Sequence, residues 1–211
     1  EVAETKAEVK PEHWIETGPS KRLMLFSGRS HPELAHRIAE KLGIQVGDVS
    51  LRTFAYGSTY CRYEESIRGA DLFLVQTTCP PVDQNLMELL IMIDAAKLAS
   101  AKRITAVMPL YPYSRQDKKS RPREPISAKL VAEMLQTAGA DRVLTMDLHA
   151  GQIQGFFDVP VDHMTALPML AQYFRDLGLP EELVAVAPDT GRTRLASKFA
   201  EMIGGDLAVL Q

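Results

Sequence analysis

Six short, nearly unbroken apolar runs constrain this chain more than any other feature: residues 23–26, 72–75, 104–107, 143–146, 183–186 and 207–210. A strand with one wet face alternates apolar and polar side chains. A strand that is apolar throughout must be buried on both faces, as in parallel sheets. Helical spacing fills much of the interval between the runs, over residues 34–42, 86–99, 126–138 and 192–203, with Gly43 and Gly139 placed to close two of these helices. Ser30-His-Pro-Glu33 reads as a capping box at the head of the first helix, with Pro32 in the opening turn. The pattern predicts an α/β fold with a parallel sheet covered on both faces.

The runs also divide the chain. Residues 1–20 mix charges with Pro11, Gly18 and Pro19 without an apolar period, and are expected to be a mobile leader. Residues 21–164 hold enough alternating elements for one full domain. From 165 to 211 only a helix, a strand, a helix and a final strand remain, a small core that reads as the opening of a second α/β domain. A hydrophobic fraction of 45% excludes a mostly disordered chain, and no run approaches the ~20 apolar residues of a membrane-spanning helix. The net charge of −3 does not suit a nucleic-acid polycation. Cys61 and Cys79 cannot build a disulfide framework, and the start of the chain lacks a signal-peptide core, so a cytoplasmic protein with reduced thiols is expected.

Ligands of open α/β sheets gather beyond the carboxyl ends of the strands, which selects residues without further knowledge. After the run at 143–146 come Asp147 and His149, two apart and so projecting to one side in extended chain, with Asp158 and Asp162 downstream. After the run at 183–186 comes Asp189, at the head of a helix. Acids with an imidazole fit a divalent cation, and carboxylates suit Mg²⁺; an Asp capping a turn beside a structural His accounts for Asp147 and His149 equally well. Residues 113–124 carry Arg115, Lys118, Lys119, Arg121 and Arg123 against two acids. With no apolar anchor the stretch reads as a solvated loop, either a phosphate grip or a plain charge run, and the helix N-terminus behind it can add to an anion site. Residues 52–59 read as an aromatic loop between two extended segments, in which Phe54 either stacks on a base or packs in a turn.

These segments resemble one known family. Tyr113-Ser-Arg-Gln-Asp-Lys-Lys, Pro125-Ile-Ser-Ala-Lys-Leu-Val131, Ala138-Gly-Ala-Asp141 and the run from Met146-Asp-Leu-His through Gly155-Phe-Phe-Asp158 to Pro160-Val-Asp162 closely resemble ribose-phosphate diphosphokinases, as do Asn85-Leu-Met-Glu-Leu-Leu-Ile-Met-Ile93 and Ser27-Gly-Arg-Ser-His-Pro-Glu-Leu34. The resemblance implies transfer of the diphosphoryl group of ATP to ribose 5-phosphate, giving phosphoribosyl pyrophosphate and AMP. It also implies Mg²⁺, a phosphoribosyltransferase-type fold, and homo-oligomers in the form of hexamers built from dimers. Carried over by position, Arg115 and Gln116 fall in the ATP loop, Phe54 lies along adenine, and His149 and Asp189 meet Mg²⁺ and phosphates. Asp147, Asp158 and Asp162 fall in the segment assigned to divalent cations.

Two departures qualify the resemblance. After Phe54 the family usually has a small residue, Asn or Asp, Gly or Gln, then Glu, whereas this chain reads Ala55-Tyr56-Gly57-Ser58. Tyr56 and Ser58 thus stand at positions that normally hold nucleotide, which leaves a catalytically silent regulatory or assembly subunit as the alternative. By alignment, the family's catalytic Lys would follow Gln211, and the acidic loop that holds ribose 5-phosphate is not in these 211 residues, so the chain alone is expected to be inactive.

Overall fold

A computed structural model describes residues 22–178 and 182–210; the expected leader at 1–20, and Gln211, lie outside the described residues. The first unit begins with β1 (Leu23–Ser27), α1 (Pro32–Leu42), β2 (Val49–Thr53), β3 (Thr59–Tyr63) and β4 (Asp71–Val75). It continues through α2 (Val82–Leu98), β5 (Arg103–Met108), α3 (Ser127–Ala138), β6 (Arg142–Met146) and β7 (Val161–Met164). Its sheet is parallel in the order β1-β4-β5-β6-β7.

The strands are buried as their letters require. Met24, Phe26, Leu72, Leu74, Ile104, Ala106, Met108 and Val143 share one core with Leu89, Met92 and Ile93 of α2 and Val131 and Leu135 of α3. On the other face Leu25, Val75 and Val107 are buried with Ala35 of α1, while Phe73 and Leu144 are only partly covered. The cover expected on both faces is therefore uneven: α2 and α3 cover one face, and α1 part of the other.

Three local expectations are corrected. The cap of α1 is His31, whose Nδ1 accepts from the Leu34 N–H at 3.3 Å. Ser30 lies one residue before the cap, and its hydroxyl is turned to Gln76, donating to Oε1 at 2.6 Å. Helix α2 starts at Val82, a turn before its apolar stripe, since its first turn is mostly polar, with Asn85 buried through hydrogen bonds rather than apolar packing. The third correction is β7, which pairs parallel with β6 at the sheet edge. Its letters, Val161-Asp-His-Met, contain no apolar run.

The path of the chain fixes where the sheet opens. Val46 makes a parallel bridge to Leu25 on the edge of β1 that β4 does not use. From β1 the chain thus moves one way over one face through α1, and from β4 the other way over the opposite face through α2. The carboxyl ends of β1 and β4 flank this switch point, where ligands of such sheets bind. Gly28 sits there by necessity: a Cβ on it would lie 2.1 Å from Gln76 Oε1. Between Val46 and β4 the chain makes an excursion, the antiparallel hairpin β2–β3, which packs on α2.

Beyond β7 lie α4 (Leu167–Asp176), β8 (Val184–Ala187), α5 (Thr193–Ile203) and β9 (Asp206–Val209). β8 and β9 pair parallel as a separate two-stranded sheet. Among the described residues no helix is long and apolar enough to cross a membrane.

Candidate functional site

The loop after β5 is the basic stretch, and it is less free than its composition implies. Arg115, Gln116, Lys118, Lys119, Arg121 and Arg123 are exposed, and among the described residues none of these cations forms an ion pair. Asp117 is nevertheless 8% exposed, and its Oδ2 accepts from Gln152 Nε2 at 2.7 Å. Glu124 Oε2 accepts from the N–H groups of Ser120 and Arg121, both at 2.8 Å. The Tyr113 hydroxyl donates to Asp83, a bond that raises the pKa of the phenol. A buried Tyr111 donates to the Ala128 carbonyl at 2.9 Å, and burial pushes its hydroxyl pKa up. The loop is a docked turn that presents its cations outward. The N-terminus of α3 is partly spent on it, since the Ala128 N–H goes to the Gln116 carbonyl at 3.2 Å.

The loop after β6 holds Asp147 and His149. Asp147 has a φ of 46°, which a short polar side chain tolerates. Its carboxylate accepts from the Thr165 hydroxyl at 2.7 Å and the Ala166 N–H at 3.0 Å, capping the approach to α4. The next N–H, of Leu148, donates to His163 Nε2 at 3.0 Å. That histidine escaped the sequence reading because β7 did. His149 is exposed and makes no hydrogen bond among the described residues.

The acids do not assemble as their spacing implied. Asp162 takes both its contacts from Arg142 Nη1, at 2.9 and 2.8 Å. Asp158 is exposed, and only its backbone N–H is engaged, by Gln136 Oε1 at 2.6 Å. Asp189 caps a short 3-10 turn, accepting from the Arg192 N–H at 3.0 Å. Among the described residues no group of three or more His, Cys, Asp or Glu could hold a metal ion. The expected cage of acids with an imidazole is not preformed. Arg142 and the Thr165–Ala166 turn have claimed Asp162 and Asp147, as unpaired acids next to donors generally are.

The third region is the hairpin tip. The Gly57 N–H donates to the Phe54 carbonyl and the Phe54 N–H to the Ser58 carbonyl, both at 2.8 Å, and Gly57 takes a φ of 97° that a side chain would strain. Ser58 is exposed. Phe54 is 41% and Tyr56 83% exposed. Their rings are parallel within 2°, with centroids 5.8 Å apart, and Tyr60 meets Phe54 edge-on. One side of Phe54 therefore already carries an offset phenol.

Comparison with known proteins follows the same segments. The N-terminal domain of ribose phosphate pyrophosphokinase matches residues 23–139. A ribose-phosphate pyrophosphokinase of Corynebacterium efficiens is 55% identical over 192 residues, which are 91% of this chain and 58% of that protein. One of Mycobacterium tuberculosis is 56% identical over 189 residues, 90% of this chain and again 58% of the relative. A crystal structure of phosphoribosylpyrophosphate synthetase from Mycobacterium smegmatis is similar with a TM-score of 0.86 and 55% identity, covering 90% of this chain and 64% of that one. This chain thus spans a little under three fifths of the length of the curated relatives it matches.

Proposed function

We propose a function from the premise that this chain belongs to the ribose-phosphate pyrophosphokinase family. The protein transfers the diphosphoryl group of ATP to ribose 5-phosphate, and residues of this chain hold the nucleotide. In that reaction the anomeric oxygen bonds to the β-phosphorus and gives up its proton. The bond from the β-phosphorus to the α,β-bridging oxygen breaks, and AMP leaves with the electron pair. A homo-oligomeric cytoplasmic enzyme, with a second unit opening at about residue 165, is the setting that this reading implies.

One observation carries the proposal. The Asp117–Gln152 bond locks the loop after β5 to the segment after β6, so Arg115 and Gln116 are held beside the stretch that bears His149, at the carboxyl end of the sheet. Arg115 and Gln116 grip phosphate oxygens, the guanidinium by a bidentate fork. Phe54 lies along the base. Mg²⁺ comes as part of the substrate on the phosphates and offsets their charge; His149 and Asp189 are the groups that meet it, with Asp147 two residues before His149, whereas Asp158 and Asp162 stand toward the amino ends of β6 and β7, Asp162 bound to Arg142. Calorimetric titration with Mg-ATP tests the reading: saturable binding, weakened by Arg115→Ala, is the expected result, and no binding overturns it.

The Phe54–Tyr56 stack favours a second reading, the silent subunit, because the phenol covers a face the base would use. Tyr56→Asn separates the two. Binding that appears only in the variant supports the silent subunit; binding by the natural chain supports the enzyme.

A further inference from the structure

We propose that Arg29 is a positioning residue: seated on the buried carboxylate of Glu88, it fastens the tip of the β2–β3 hairpin through Thr53 and so fixes where Phe54 presents its ring. The consequence for nucleotide rests on the reading of Phe54 given above; the fastening itself does not.

Glu88 lies on α2 with its side chain 2% exposed. A carboxylate that deep must be paired and bonded. Arg29 supplies two of its partners, the backbone N–H to Oε1 at 2.8 Å and Nε to Oε2 at 2.5 Å. Gln76 Nε2 adds a third at 3.0 Å and also donates to the Asn85 carbonyl at 3.2 Å. The Oε1 of the same amide accepts from the N–H and hydroxyl of Ser30, at 3.1 and 2.6 Å. The guanidinium is thus held by a closed network at the switch point, and Glu88 is its one acidic partner among the described residues.

From that seat Nη1 reaches Thr53 Oγ1 at 3.1 Å. Thr53 ends β2 and precedes Phe54. The hairpin is tied at its base, where the Tyr63 hydroxyl donates to the Met92 carbonyl at 2.9 Å and the Tyr63 ring packs edge-on against Phe26. Its tip stands in solvent. Among the described residues the Arg29–Thr53 bond is the side-chain hydrogen bond that ties the outer end of β2 to the loop after β1. Only a planar fork can serve Glu88 through Nε and Thr53 through Nη1 in two fixed directions; an ammonium cannot.

Hydrogen exchange followed residue by residue on this chain tests the fastening, with Arg29→Lys and the near-isosteric Thr53→Val, which leaves the pair with Glu88 intact. Both are expected to speed exchange at the Phe54 and Gly57 amides by about tenfold, the worth of one charge-assisted hydrogen bond, while β4 and β5 amides keep their rates. Unchanged exchange at the tip overturns the proposal, and so does a rise shared equally by β4 and β5, which is general loss of stability. Mg-ATP titration of Thr53→Val separates the two layers. Faster tip exchange with weaker binding upholds both, whereas faster exchange with unchanged binding upholds the fastening and overturns the role of Phe54 in holding nucleotide.

Discussion

Asp117 and Gln152 are joined by a 2.7 Å hydrogen bond across 35 residues of sequence, which fastens together two loops that leave neighbouring strands. Removing the donor leaves a buried carboxylate without its partner. Gln152→Ala is expected to lower the unfolding free energy by about 1–3 kcal/mol and to weaken Mg-ATP binding. Urea unfolding and calorimetry check the two effects, and loss of stability without loss of affinity would confine the bond to structure.

Arg115→Lys keeps the charge and removes the fork. About tenfold weaker Mg-ATP binding is expected, since a single ammonium cannot make two parallel bonds to one phosphate. An unchanged dissociation constant would return residues 113–124 to a solvated charge run.

Gly28→Ala drives a Cβ into Gln76 Oε1. The amide cannot retreat without breaking its bonds to Ser30 and Glu88, so a loss of about 1–3 kcal/mol is expected, as for other overpacked sites. Thermal unfolding measures it.

Burial is the main cause of a raised pKa at three groups that link stability to alkaline pH. Burial, with a smaller push from Glu88, raises the Cys61 thiol from 9.0 to about 11. Burial raises the hydroxyls of Tyr63 and Tyr111. In each case the folded chain holds its proton more tightly than the unfolded chain does, so stability is complete below the unfolded pKa and falls as pH rises beyond it. Denaturation midpoints should be level up to pH 9 and decline between 9 and 11. Cys61→Ser is expected to make the decline shallower; the same slope with and without it would remove the thiol from the account.

Assayed alone with Mg-ATP and ribose 5-phosphate, these 211 residues are expected to bind nucleotide without releasing AMP. They cover 58% of the length of the curated relatives, and lost orientation and charge stabilisation are each worth orders of magnitude in rate. Steady AMP release in a coupled assay would contradict this.

What the sequence disclosed follows burial. The strands at 23–26, 72–75, 104–107 and 143–146 are legible because both of their faces lie in the sheet's layers. β7 is not, since an edge strand carrying Asp162 and His163 has no apolar run to show. The three candidate regions were legible because each follows a strand or turns between two. Their internal wiring was hidden. That Asp117 is buried, that Asp147 and Asp162 are engaged at 2.7 and 2.8 Å, and that Ser30 serves Gln76 rather than α1 all depend on partners distant in sequence. A local pattern has no access to them.

The hairpin has one more implication. It departs after the Val46 bridge and returns before β4, and its own ladder is separate from the five-stranded sheet. Residues 54–58 can therefore be exchanged without disturbing the register of any core strand. The fingertip that carries Tyr56 and Ser58 is thus free to vary in composition over a scaffold that stays unchanged.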